Sequence, residues 1–109
     1  MRETRHVETA HRTAAMRARL TMIDIEPGQD QRYPVVLGGV LNADDRELYI
    51  ALPGVFWPGT RFRVDYAGEQ ESITVFASVA RVDPESPDGT ERLGHMLHVI
   101  PDPFEEDGA

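Results

Sequence analysis

At 109 residues and 12.2 kDa, with 40% hydrophobic and 28% charged residues, the chain has room for one domain and one modest core. Nineteen acids against eleven bases give a net charge of −8, which disfavours nucleic acid and anionic membrane unless the bases are segregated. The absence of cysteine excludes disulfides, thiolate metal sites and cysteine nucleophiles, and it suits a reducing compartment. No apolar run approaches the roughly 18 residues of a membrane span, and the first eight residues lack the apolar segment of a signal peptide. A soluble, cytoplasmic protein without membrane insertion is expected.

Charge is unevenly distributed. Residues 1–19 hold five arginines against Glu3 and Glu8, a net +3, while six arginines against seventeen acids make the remainder −11. Every base is arginine, which mutational bias explains without invoking a site. The basic arm, residues 1–17, contains neither Gly nor Pro and is rich in Ala, so it reads as a short helix or a flexible segment.

From residue 18 the pattern shifts to period two. Leu20, Met22 and Asp24 alternate with Thr21, Ile23 and Ile25 in a first strand, ended by Pro27-Gly28. Tyr33 to Leu41 forms a second strand, whose paired Gly38-Gly39 suggests a sharp bend, a close backbone crossing or a bulge. Asn42 to Asp45 is a turn of side chains that bond their own backbone. Leu48, Ile50 and Leu52 mark a third strand. Phe62, Val64 and Tyr66, alternating with Arg61, Arg63 and Asp65, mark a fourth. Ile73 to Ala80 is a long fifth strand, and Leu93 to Ile100 a sixth, stopped by Pro101 and Pro103. The tail over 102–109 reads as a solvated acidic end. Six strands in a body spanning 18–101 predict an all-β, antiparallel barrel, whose closure removes aggregation-prone edges.

The sequence offers little catalytic chemistry. His6 and His11 are five apart, off one helical face, and His95 and His98 point to opposite sides of a strand, so no metal site is expected. There is no nucleophile elbow, Walker loop or dinucleotide fingerprint, and an enzyme is not expected. Trp57, between Phe56 and Pro58-Gly59, reads as a loop plug over the barrel mouth, with an exposed anchor for a protein partner as the other reading; Phe56 and Trp57 are the candidate partner-binding residues.

The order of elements resembles the PilZ domain family. The carrying segments are Gly39 to Asp44, Leu48 to Leu52, Pro58 to Val64, Ala77 to Val82 and Arg92 to Leu97, within residues 12 to 101. The resemblance implies a six-stranded barrel preceded by a short helical or flexible N-terminal arm, and cyclic di-GMP as the possible ligand. Family binding uses Arg-x-x-x-Arg before the first strand and Asp/Asn-x-Ser-x-x-Gly after the second. Here the corresponding residues are Arg12, Arg17 and Arg19, with Asn42 and Asp44, but this chain is degenerate at both motifs. No arginine pair has the family spacing, Asp44 stands at the serine position and Glu47 at the glycine position. A carboxylate held about 4 Å from phosphate costs roughly 1 kcal/mol in water and about 4 at an effective dielectric of 20.

The resemblance therefore implies a single-domain PilZ-like adaptor acting by protein–protein contact in bacterial motility or type IV pilus regulation, with cyclic di-GMP binding weak or lost. The alternative is a functional cyclic di-GMP receptor using the three arginines and Asn42. Partners are expected to be protein, a homodimer among them, and not polymeric nucleic acid; no cofactor is expected.

Overall fold

The computed structural model describes residues 16–87 and 89–104. Six strands pair antiparallel: β1 (Met16–Met22), β2 (Val35–Ala43), β3 (Glu47–Leu52), β4 (Arg61–Ala67), β5 (Ser72–Asp83) and β6 (Leu93–Ile100). Their order is β1-β2-β3-β6-β5-β4, and β4 pairs with β1 to close the barrel. The all-β barrel expected from the alternation is thus present, with no helix among the described residues.

The inward positions are those the period-two pattern marks. Leu20, Val40, Leu48, Ile50, Leu52, Phe62, Val64, Ala77 and Leu97 are buried in one core. Each large aliphatic or aromatic side chain among them contributes on the order of 1.5–3 kcal/mol on leaving water. Gly38 lies where β2 crosses close to β3: a Cβ there would stand 2.7 Å from the Leu52 Cδ2 and 2.8 Å from the Ala51 carbonyl oxygen. Gly38 therefore marks a close backbone approach.

Several boundaries differ from the sequence expectation. Met16 and Arg17, assigned to the arm, belong to β1, where they face Val40 and Gly39 of β2. Ladder pairing outweighs the modest helix preference of this Arg/Ala segment. The expected helix or flexible arm over residues 1–15, with Arg12, His6 and His11, lies outside the described residues. β1 ends at Met22, so Asp24 and Ile25 leave the sheet. β2 starts at Val35, because Pro34 has no N–H to donate; its carbonyl still accepts from Met22 N at 2.9 Å. Asn42 and Ala43, expected in a turn, extend β2.

Two irregularities account for the longer strands. The β2–β3 register shifts between Val40 and Asn42, and the β5–β6 register between Val79 and Arg81. Leu41 and Ala80 are the extra residues. After each bulge the alternation resets, so Asn42 faces outward and Ala43 inward, and Val82 joins the core. The register also sorts the connections. Segments 23–34, 53–60 and 84–92 meet at one end of the barrel, and the turns at 44–46 and 68–71 meet at the other.

Candidate functional site

The loop from β3 to β4 closes the barrel mouth. Trp57-Pro58-Gly59-Thr60 is a tight turn in which Thr60 N donates to Trp57 O at 3.0 Å, with Gly59 at φ 98°. Proline at the second position and a left-handed glycine at the third are what a type II turn requires. The turn is tied to β5 by Gly59 N to Val79 O and Val79 N to Thr60 O, both 2.8 Å.

Phe56 is the residue that plugs the mouth, which corrects the reading of Trp57 in that role. Its ring meets Phe62 edge-on at a centroid distance of 5.5 Å and lies 5.8 Å from the His95 ring. Trp57, next in sequence, points the other way and is 73% exposed. The physical reason is the turn: the chain reverses at Pro58-Gly59, and only one of two consecutive side chains can face the core.

His95 fastens this loop from below. It is fully buried, and its Nε2 accepts from Phe56 N at 3.1 Å while Nδ1 sits 3.0 Å from Leu93 O. A backbone N–H donates to Nε2 and a carbonyl faces Nδ1, so the ring is neutral with its proton on Nδ1. Burial holds its pKa below the ordinary histidine value, opposed by the Leu93 carbonyl and by the charge of Asp83. His98 takes the opposite face, as the odd spacing requires, with Nε2 3.4 Å from Glu47 Oε2. No group of three His, Cys, Asp or Glu among the described residues is arranged to hold a metal.

The residues singled out by the family resemblance are spread over β1, β2 and the β2–β3 turn. Arg17 and Arg19 lie on the outer face of β1, exposed, two residues apart and on the same side. Asn42 is exposed on the outer face of β2. Asp44 is engaged in the turn: one oxygen accepts from Arg46 N at 2.7 Å and Glu47 N at 2.8 Å. Those two N–H groups hold its carboxyl below the usual aspartate value. Glu47 reaches His98, so neither carboxylate closes on Arg17 or Arg19. Arg12 lies outside the described residues.

Val55 is exposed on the same loop as Trp57, and Ile25, exposed after β1, lines a shallow groove with Pro58, Gly59 and Thr60. Asp24 and Arg61 flank them, joined by a forked pair with Nη2 to Oδ1 at 2.6 Å and Nε to Oδ1 at 3.0 Å. The end of the barrel covered by Phe56 thus carries exposed apolar side chains. Trp57 itself stands on a turn held by hydrogen bonds to β5.

Comparison of the chain with protein-family models, with curated proteins and with solved structures found no match. The fold and surface define a small closed β-barrel with an aromatic-tipped loop at one end. No helix among the described residues is long and apolar enough to cross a membrane.

Proposed function

We propose that this chain is a single-domain, cytoplasmic PilZ-like adaptor that acts by docking a protein partner and binds cyclic di-GMP weakly or not at all. The setting of bacterial motility or type IV pilus regulation comes from the family resemblance. One observation supports docking above the rest: Trp57 is held out to solvent on a turn anchored at both sides. Exposing a large ring costs hydrophobic free energy, and fixing it beforehand lowers the entropy lost when a partner covers it. Tryptophan in such a position is the side chain most often found to dominate an interface.

A second reading, a cyclic di-GMP receptor, is favoured by the open guanidinium groups of Arg17 and Arg19, which no carboxylate among the described residues occupies. Titration calorimetry with cyclic di-GMP separates the two. The adaptor reading expects flat heats. Saturable binding below about 10 μM, roughly 7 kcal/mol, that vanishes in an Arg17→Ala, Arg19→Ala variant overturns it in favour of the receptor.

A further inference from the structure

We propose that the outer face of β1 and β2 is a second docking surface, for a short acidic peptide segment carrying aliphatic side chains. The proposal rests on the reading of the chain as a docking module but uses a different face from Trp57, so the two can fail separately.

Among the described residues, Arg32, Arg61, Arg63 and Arg81 are each closed on an aspartate. Arg32 pairs with Asp30 at 2.6 Å, Arg61 with Asp24 at 2.6 Å, Arg63 with Asp65 at 3.3 Å and Arg81 with Asp83 at 3.1 Å. Arg17 and Arg19 have no such partner among the described residues. Asp65 does stand opposite Arg19 in the ladder, but its carboxylate takes Arg63 Nε and the Thr74 hydroxyl, the latter at 2.6 Å. Asp65 is therefore engaged, and among the described residues no carboxylate takes the two guanidinium forks, which suit bidentate contact with carboxylate.

The same face is apolar where it should be polar. Leu37, opposite Arg19 in register, is 70% exposed, Val35 44% and Tyr33 43%. Outward positions of a barrel strand ordinarily carry polar residues, so an aliphatic pair beside two open cations is a mixed patch with a specific complement. It continues into an open groove of about 590 Å³ formed where Arg19, Thr21 and Val35 meet the segment from Asp30 to Tyr33, whose one carboxylate, Asp30, is closed on Arg32.

Charge decides the class of occupant. The chain beyond residue 19 carries −11, so an extended anionic surface such as a bilayer or a polynucleotide meets repulsion from the rest of the body. A short peptide samples only the local patch, since interactions beyond about 8 Å are screened at physiological salt. Arg17 and Arg19 are one strand repeat apart, about 7 Å, which is the spacing of the two carboxylates of Glu-x-Glu in an extended chain. Leu37 and Val35 then accept the aliphatic side chain two residues further on, which shares the face of the two acids.

The test uses the full chain and a labelled peptide containing Glu-Ser-Glu-Leu-Leu, read by fluorescence anisotropy and by amide shifts. Binding is expected to weaken with added salt, to shift the amides of Arg19, Thr21, Val35 and Leu37, and to fall by about tenfold or more in Arg17→Glu with Arg19→Glu. A Leu37→Ser variant, which keeps both cations, is expected to lose a comparable amount, and so is a peptide with both leucines replaced by serine. Trp57→Ala is expected to bind as the parent does. Absence of saturable binding, shifts confined to the 53–60 loop, equal affinity of the charge-reversed variant, or preferential binding to phosphatidylglycerol vesicles would each overturn the proposal.

Discussion

The Tyr49 hydroxyl donates to Asp83 Oδ2 at 2.7 Å, reaching from β3 across β6 to β5. The ring passes over Gly94, the only kind of residue that leaves it room, since a Cβ at that position would collide with the phenol. Asp83 also takes Arg81 Nε at 3.1 Å, so one carboxylate joins two strands of the outer surface. Burial, together with the Asp83 carboxylate, pushes the Tyr49 pKa up to about 12. The unfolded chain ionises this phenol near its ordinary value of about 10, before the folded chain does. The stability Tyr49 contributes is therefore complete below that value and is lost as pH rises toward about 12. Spectrophotometric titration should find one phenol ionising late, and Tyr49→Phe should abolish that late step. Gly94→Ala is expected to cost about 1–3 kcal/mol by overpacking, measured by denaturant unfolding, and more than Tyr49→Phe does.

His95 gives an opposite limb. Its pKa is lowered by burial, so the unfolded chain takes up this proton first as pH falls. The contribution is intact above about 6.5 and declines below it as pH drops toward the lowered folded value. In His95→Leu the acid limb over that range should flatten. The same substitution leaves Phe56 N without its acceptor and is expected to cost about 1–3 kcal/mol at neutral pH. Nitrogen-15 spectra of the parent should show Nδ1 protonated and Nε2 bare.

Phe56 and Trp57 are adjacent yet should respond differently to truncation. Phe56→Ala removes the ring packed on Phe62 and is expected to destabilise by about 2–4 kcal/mol. Trp57→Ala should change unfolding by no more than about 0.5 kcal/mol while weakening partner association. Thermal melts and a binding measurement on the same two variants check the division.

Placing the serine and glycine of the PilZ motif in the β2–β3 turn tests the cost of its carboxylates. In Asp44→Ser with Glu47→Gly, serine can still cap Arg46 N and Glu47's backbone position, while two negative charges leave the turn. Cyclic di-GMP affinity is expected to rise by about tenfold or more over the parent, read by calorimetry. No gain would show that these acids are not what weakens binding.

Much of this architecture was legible because alternation is a direct record of burial. Leu48, Ile50 and Leu52, and again Phe62 and Val64, are inward in the structure as they are in the pattern. Legibility failed where the count of residues, not their type, decides the face. At Ala80 the alternation breaks, so the fifth strand reads as ending there although Arg81 to Asp83 also pair with β6. Tyr49 looked like an ordinary outward residue; its role depends on Gly94 and Asp83, distant in sequence and adjacent only after closure. Phe56 and Trp57 are both large and apolar, and nothing local says which turns inward. The choice goes with the turn at Pro58-Gly59 and with His95, whose ring holds the Phe56 N–H and lies beside the Phe56 ring.

The bulges at Leu41 and Ala80 give the barrel slack. Losing one residue from a regular strand exchanges inside for outside along everything that follows. Losing Leu41 or Ala80 instead straightens the ladder and leaves Asn42 in solvent and Val82 in the interior. Shortened versions of this chain are thus tolerable at two points, where length can change without rewriting a single interior position.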